Sequence, residues 1–158
     1  MRLASRLREV FIDGRWIANT NYKELLTDVN WEQATRKMMG MNSIAALTFH
    51  INYYLDGLLH VFSGGDLLIR DKYSFDMKPI ESNEDWKKLV DTFFNNAESF
   101  IRHVEQMPES KLAEDFVDKK YGSYLRNIEA VIEHSYYHMG QITLLKKMTT
   151  YAGAPHTI

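Results

Sequence analysis

The apolar residues between positions 42 and 62 recur at intervals of three and four, and this spacing restricts how the chain can fold. They are Ile44, Leu47, Ile51, Leu55, Leu58 and Phe62. Residues at these intervals share one face of an α-helix, so the segment is predicted to be a helix buried along one side. Asn42 or Ser43 can cap its start, and Gly64-Gly65 follows its end.

Two more segments have the same periodicity. In residues 82–108, Ser82 precedes Asp85 by three positions as in a capping box, and Pro108 ends the segment. Its predicted inward residues are Trp86, Leu89, Val90, Phe93, Phe94, Ala97, Ile101 and Val104. Residues 123–149 form the last predicted helix. Its predicted inward residues are Leu125, Ile128, Val131, Ile132, Ser135, Met139, Ile142 and Leu145.

The N-terminal part has a less regular pattern. "LASRLREVFI" is predicted to be helical and "DGRW" to be a turn. "IANTNYKELL" is predicted to be a second helical piece that leads into "NWEQATRK".

These segments together predict an all-α protein. Its three prolines, Pro79, Pro108 and Pro155, all lie outside the periodic segments. The connection between the second and third main helices, "SGGDLLIRDKYSFDMKPIE", is long enough to cross one end of a helix bundle. We therefore predict one domain over residues 1–158, a four-helix bundle with one long crossover connection between helices 2 and 3.

Composition excludes several kinds of function. A net charge of −2 gives no reason to expect nucleic acid or an anionic membrane as a partner. The N-terminus has no apolar signal-peptide region and no segment is apolar enough to span a membrane, so a cytoplasmic protein is expected. Because the chain has no cysteine, a metal site must use histidine, carboxylates, amide oxygens or water.

Three histidines are candidates for such a site. In "EHSYYHMGQ", residues 133–141, His134 and His138 lie one helical turn apart on one flank of the apolar face. His50 has the same relation to the apolar face of its own helix. Three imidazoles can hold one ion and leave a coordination position for water. Nitrogen ligands suit Zn, Ni, Cu or Fe better than Mg or Ca.

The alternative is that the histidines are partly buried residues that form hydrogen bonds with the backbone or with tyrosine. Ser135 follows His134, so the metalloprotease pattern H-E-x-x-H is absent. Of the other histidines, His60 is expected to cap the end of its helix, His103 to lie at the surface, and His156 to lie in a terminal tail.

Several polar residues lie within about one turn of the three histidines and could orient their rings. They are Tyr53, Tyr54, Tyr137, Asp56 and Gln141. Ordinary packing at the rim of the core is the alternative role for the tyrosines. The sequence identifies no general acid or base.

The stretches "NSIAALTFH", residues 42–50, and "HSYYHMGQI", residues 134–142, resemble the DinB superfamily. "DGRWIANTNYKELL" resembles the start of its DinB/YfiT-like branch. The resemblance implies an up-down-down-up four-helix bundle, a homodimer, and a divalent metal ion held by His50, His134 and His138. Zinc is the expected metal and nickel the second choice. Many relatives have arginine at the position of Met139.

The resemblance implies two types of chemistry on a small-molecule substrate. One is metal-dependent hydrolysis, in which the ion activates water. The other is transfer or isomerisation that depends on a low-molecular-weight thiol, such as bacillithiol or mycothiol. A non-catalytic bundle that binds a metal or a small ligand in stress response is the alternative. A third reading is a dimeric helical protein with incidental histidines.

Overall fold

A computed structural model describes residues 2–151, and this part of the chain is all-helical, as predicted. His156 and Pro155 lie outside the described residues. The helices are α1 Arg2–Arg8, which continues as a π-helical turn over Glu9–Asp13, α2 Tyr22–Leu26, α3 Trp31–Thr35, α4 Ile44–Phe62, α5 Asn83–Gln106, α6 Glu109–Leu112 and α7 Tyr124–Tyr151. None of the described helices is long and apolar enough to cross a membrane.

Side-chain caps begin α4 and α5 where the sequence predicts them. The Ser43 hydroxyl accepts a hydrogen bond from the backbone N–H of Ala46 at 3.2 Å. The Ser82 hydroxyl accepts from the backbone N–H of Asp85 at 3.1 Å and donates to the Asp85 carboxylate at 2.7 Å. These bonds satisfy backbone donors that have no partner within the helix, so they fix the first turn.

The predicted inward face of α7 is buried, except for Leu125, which is 37% exposed. In α5, Phe100 is fully buried although the predicted apolar face omits it, while Leu89, Val90 and Phe94 are half-buried. The buried face of α5 is therefore rotated slightly from the one that the spacing predicts.

The prediction of one helical piece over residues 17–26 is wrong in its first half. The helix α2 begins only at Tyr22, because Asn21 has an extended backbone with φ −142°. The Asn21 side chain accepts from the backbone N–H of Glu24 at 3.0 Å and donates to the carbonyl of Gly14 at 3.1 Å. Asn21 thus caps α2 and binds the preceding turn, and Ile17 before it is 66% exposed.

An aromatic cluster joins the N-terminal helices to the rest of the core. The rings of Phe11, Tyr22 and Phe93 lie 5.3–5.7 Å apart between centroids, and all three side chains are fully buried. The Tyr22 hydroxyl donates to the backbone carbonyl of Ser135 in α7 at 2.7 Å. This contact connects α2 directly to the segment of α7 that carries the two neighbouring histidines.

The connection after α4 runs back along that helix, and we call its residues 67–75 the strap. Ile69 packs against Gly57, and a side chain at position 57 would collide with Ile69. The Tyr53 hydroxyl accepts from the backbone N–H of Arg70 at 2.9 Å and donates to the Arg70 carbonyl at 3.0 Å. The Tyr54 hydroxyl donates to the Asp71 carboxylate at 2.9 Å. Three consecutive residues of the strap are therefore attached to α4.

Candidate metal centre

The three histidines that the sequence singles out come together between α4 and α7. The Nε2 atom of His134 lies 3.2 Å from Nε2 of His50 and 2.7 Å from Nε2 of His138. One nitrogen from each ring lies within 4.8 Å of the others, and no other such group of three His, Cys, Asp or Glu side chains occurs in residues 2–151. Two nitrogen ligands on one tetrahedral zinc ion are about 3.3 Å apart. The distance from His50 to His134 matches this value, and His134 and His138 would need to move slightly apart to share an ion.

Hydrogen bonds on the far side of two rings fix their tautomers. Nδ1 of His50 lies 3.3 Å from the backbone carbonyl oxygen of Ser74. Nδ1 of His138 lies 2.6 Å from Oε1 of Gln141, whose amide nitrogen donates to the Tyr137 hydroxyl at 3.2 Å. Because carbonyl oxygens only accept, each Nδ1 carries the proton and donates it. Each Nε2 therefore presents a lone pair to the cluster, as metal ligation requires.

The electrostatics of the cluster favour neutral imidazoles. Burial lowers the pKa of all three histidines, and it lowers that of His134 to about 4, with the positive charges of neighbouring histidines as the second cause. At neutral pH the cluster therefore consists of uncharged rings, and His50 and His138 direct their Nε2 lone pairs towards Nε2 of His134. This donor set fits a divalent transition metal ion, because a cation between the rings accepts a lone pair from each of them.

Aromatic rings hold His50 and His134 in place. The ring of Phe75 stacks on His50 with centroids 4.2 Å apart and planes 9° apart. The ring of Tyr54 lies nearly perpendicular to the rings of both His50 and His134, at 5.1 and 5.5 Å between centroids. Ser74 and Phe75 belong to the strap, and their role was missed from the sequence because a backbone carbonyl and a loop aromatic follow no helical period.

The other candidates divide into two groups. Gln141, Tyr137 and Tyr54 contact the histidine cluster or its immediate partners. Tyr53 instead binds the strap, and exposed Asp56 lies 3.4 Å from the amide nitrogen of Asn96 in α5.

The remaining two histidines of the described chain do not join the cluster. His60 is exposed and lies in the last turn of α4. His103 is half-buried, and its Nδ1 donates to the backbone carbonyl of Ser99 at 2.8 Å. His60 therefore offers a control position for experiments on the cluster.

The fold and the site together define an all-helical protein with a three-histidine cluster that is able to hold a metal ion. The sequence model of the DinB superfamily matches residues 18–142, a span that contains all three histidines. The chain belongs to the DinB superfamily. No curated protein and no solved structure matches it. Met139 is buried in the core.

Proposed function

We propose that His50, His134 and His138 bind one divalent transition metal ion, zinc in the first place and nickel in the second. The observation that carries this proposal is the convergence of three Nε2 atoms, two of which belong to rings whose Nδ1–H donates to a carbonyl oxygen and leaves Nε2 free to ligate. Three protein ligands leave a tetrahedral ion one open position, which is the arrangement of catalytic rather than structural zinc sites.

We further propose that the protein is a metal-dependent enzyme that acts on a small molecule, as a hydrolase or as a thiol S-transferase. A bound ion would lower the pKa of a water molecule or thiol at its open position. A cysteine-free chain is compatible with either, because the thiol would come from solution.

The chain's own residues orient the ligands and shield them. The carbonyl oxygens of Ser74 and Gln141 accept hydrogen bonds from Nδ1 of His50 and of His138, respectively. Phe75 covers one face of the His50 ring. Burial, with the nearby Asp71 carboxylate, raises the pKa of Tyr54, so its hydroxyl stays protonated and donates to Asp71. Tyr54 therefore acts as a wall of the site rather than as a base.

A non-catalytic metal- or ligand-binding bundle is the second candidate function. The observation in its favour is that, within the described residues, no carboxylate belongs to the histidine cluster. The nearby carboxylate of Asp71 accepts the hydrogen bond of Tyr54. A general base is thus not evident beside the proposed ion.

The proposal includes a bundle topology. Asn52 of α4 contacts Asn96 of α5, and Phe62 of α4 contacts Phe100 of α5. The residue numbers increase in the same direction along both helices, which supports parallel helices joined by a crossover. Contacts of α4 with α7 pair His50 with His138 but Phe62 with Tyr124, which supports antiparallel helices. We propose that α1, α4, α5 and α7 form an up-down-down-up bundle and one domain over residues 1–158.

We also propose a homodimer. Tyr137 and Leu144 on α7 are 64% and 53% exposed, and the surface of Gly140 between them is open. Such an apolar strip supports self-association, and sedimentation velocity at several concentrations tests it.

Elemental analysis of the protein, purified without a histidine tag, tests the metal site. We expect about one zinc or nickel ion per chain, lost in His50→Ala and in His138→Ala. His60→Ala is the matched control, because His60 is exposed and outside the cluster. A wild-type protein that is folded by circular dichroism but takes up no metal contradicts the proposal.

Turnover separates the two candidate functions. Metal-loaded protein is assayed against a panel of esters and amides, and against electrophiles with added thiols. Turnover that disappears with the metal and in His138→Ala supports the enzyme. Stoichiometric metal without turnover on any member of the panel favours the binding protein.

A further inference from the structure

A cavity of about 450 Å³ lies between α4, α7 and the strap. Tyr54 and His134 are among its lining residues, so the cavity borders the histidine cluster directly. Its volume falls within the range of about 300–1,000 Å³ that is typical of small-molecule sites. An occupant of this cavity reaches the ring of a proposed metal ligand.

The inner wall of the cavity is apolar. Leu58, Phe116 and Val131 line it and are buried, with exposed fractions of 7%, 1% and 8%. Leu67 and Ile69 of the strap continue this wall and are half-buried. Such a wall favours an apolar group, because contact with it removes apolar surface from water on both sides.

The open side of the cavity carries charge. Arg70, Asp71 and Tyr121 line it and are exposed. Both backbone polar groups of Arg70 are bonded to the Tyr53 hydroxyl, so the position of this residue is fixed. Its guanidinium donates one hydrogen bond, to the backbone carbonyl of Ile69 at 3.1 Å.

The guanidinium of Arg70 is available to a ligand. Within residues 2–151 it has no carboxylate within 4 Å, since the ion pairs of this region join other residues. The carboxylate of Asp71, which also lines the cavity, accepts the hydrogen bond of Tyr54. Because Arg70 offers one positive charge and Asp71 repels any further negative charge, a ligand with a single negative charge matches this side best.

We propose that this cavity binds a small-molecule substrate with an apolar body and one carboxylate group, the body against Leu58, Phe116 and Val131 and the carboxylate at Arg70. The rest of such a molecule lies beside His134. The assignment as substrate rests on the proposed function, whereas the binding mode rests on the cavity alone. Planar guanidinium groups pair with carboxylates through two hydrogen bonds, which gives the contact direction as well as charge.

Calorimetric titration of the zinc-loaded protein tests the proposal with three probes that share one body. These are 4-phenylbutanoate, 4-phenyl-1-butanol and 4-phenylbutylamine. We expect the carboxylate to bind most tightly and the amine most weakly. Arg70→Gln is expected to weaken binding of the carboxylate about fivefold and to leave binding of the alcohol unchanged.

Two further variants locate the binding. Ala130 lines the cavity on α7, so Ala130→Leu fills part of it and is expected to weaken all three probes about tenfold. Arg102→Gln is the matched control, because Arg102 is an exposed arginine on α5 that does not line the cavity. It is expected to change nothing. The helical content and zinc content of every variant are measured alongside.

The titrations are repeated after zinc removal, and the outcomes separate the two proposals. Unchanged binding in Ala130→Leu overturns the cavity assignment. If the carboxylate binds only in the presence of zinc and its affinity is unchanged in Arg70→Gln, the proposed role of Arg70 is overturned, because the probe then binds the ion. Binding that depends on Arg70 and Ala130 in a protein that takes up no zinc supports the cavity and overturns the proposed metal site.

Discussion

Replacement of Gly57 by alanine is predicted to change the free energy of unfolding in a direction that depends on the residue at position 69. A Cβ atom at Gly57 would lie 2.5 Å from Cγ1 and 2.7 Å from Cδ1 of Ile69, well inside contact distance. Overpacking of this kind costs about 1–3 kcal/mol, and alanine in a helix recovers about 1 kcal/mol over glycine. Gly57→Ala alone should therefore lower the free energy of unfolding by about 1 kcal/mol.

The same substitution should stabilise the protein when Ile69 is alanine. Truncation of Ile69 removes both clashing atoms, and its Cβ lies 3.6 Å from the added atom, an ordinary contact. Only the helix-propensity gain remains, so Gly57→Ala in the Ile69→Ala background should raise the free energy of unfolding by up to about 1 kcal/mol. The coupling between the two positions is then about 2 kcal/mol.

Urea denaturation followed by circular dichroism measures all four members of this cycle. Gly140→Ala is the control, because Gly140 also lies in a helix and nothing stands within 4 Å of its added Cβ. Its effect should be the same in both backgrounds. Equal effects of Gly57→Ala in both backgrounds would refute the contact between α4 and the strap.

Three more predictions concern the site, a helix cap and the core. In metal-free protein, His134 has a pKa of about 4, so the unfolded chain binds more protons than the folded one below pH 6.5. The free energy of unfolding should therefore fall by about 1–2 kcal/mol as pH drops from 6.5 to about 4, after allowance for the partial exposure of the His134 ring. Urea titrations at a series of pH values measure this change, and a free energy of unfolding that does not vary with pH contradicts the prediction. Ser82→Ala removes the cap on Asp85 and should cost about 1 kcal/mol in the same assay. Tyr22→Phe removes the bond to the Ser135 carbonyl and should cost about 1 kcal/mol without changing the helical content.

Periodicity and capping residues were enough to predict the long helices. The all-α class is confirmed, and α4 and α5 begin after Ser43 and Ser82, because hydroxyl caps act within one turn and leave a local signature. Asn21 and Glu24 carry a comparable signature for α2. The start of α2 was nevertheless placed too early, because the apolar residues before Asn21 resemble a continuing helix.

The candidate site was predictable where helical spacing determines it. His134 and His138 share a face through their four-residue interval, and His50 faces them because it flanks the buried face of α4. Ser74 and Phe75 could not be predicted, because they approach His50 from a loop, and Ser74 is 24 positions away in the chain. The path of that loop depends on tertiary contacts that leave no periodic pattern.

The strap contacts His50 through a main-chain oxygen, and this has a consequence for mutational robustness. Any residue at position 74 keeps a carbonyl, but Ser74 is only 4% exposed, so the support of His50 is kept by side chains that are small enough for this buried place. It depends on the route of the strap, which is determined by Tyr53 and Gly57 on the outer surface of α4. Genetic screens for altered metal affinity should therefore find substitutions on this outer surface, while position 74 itself accepts changes that leave the backbone in place.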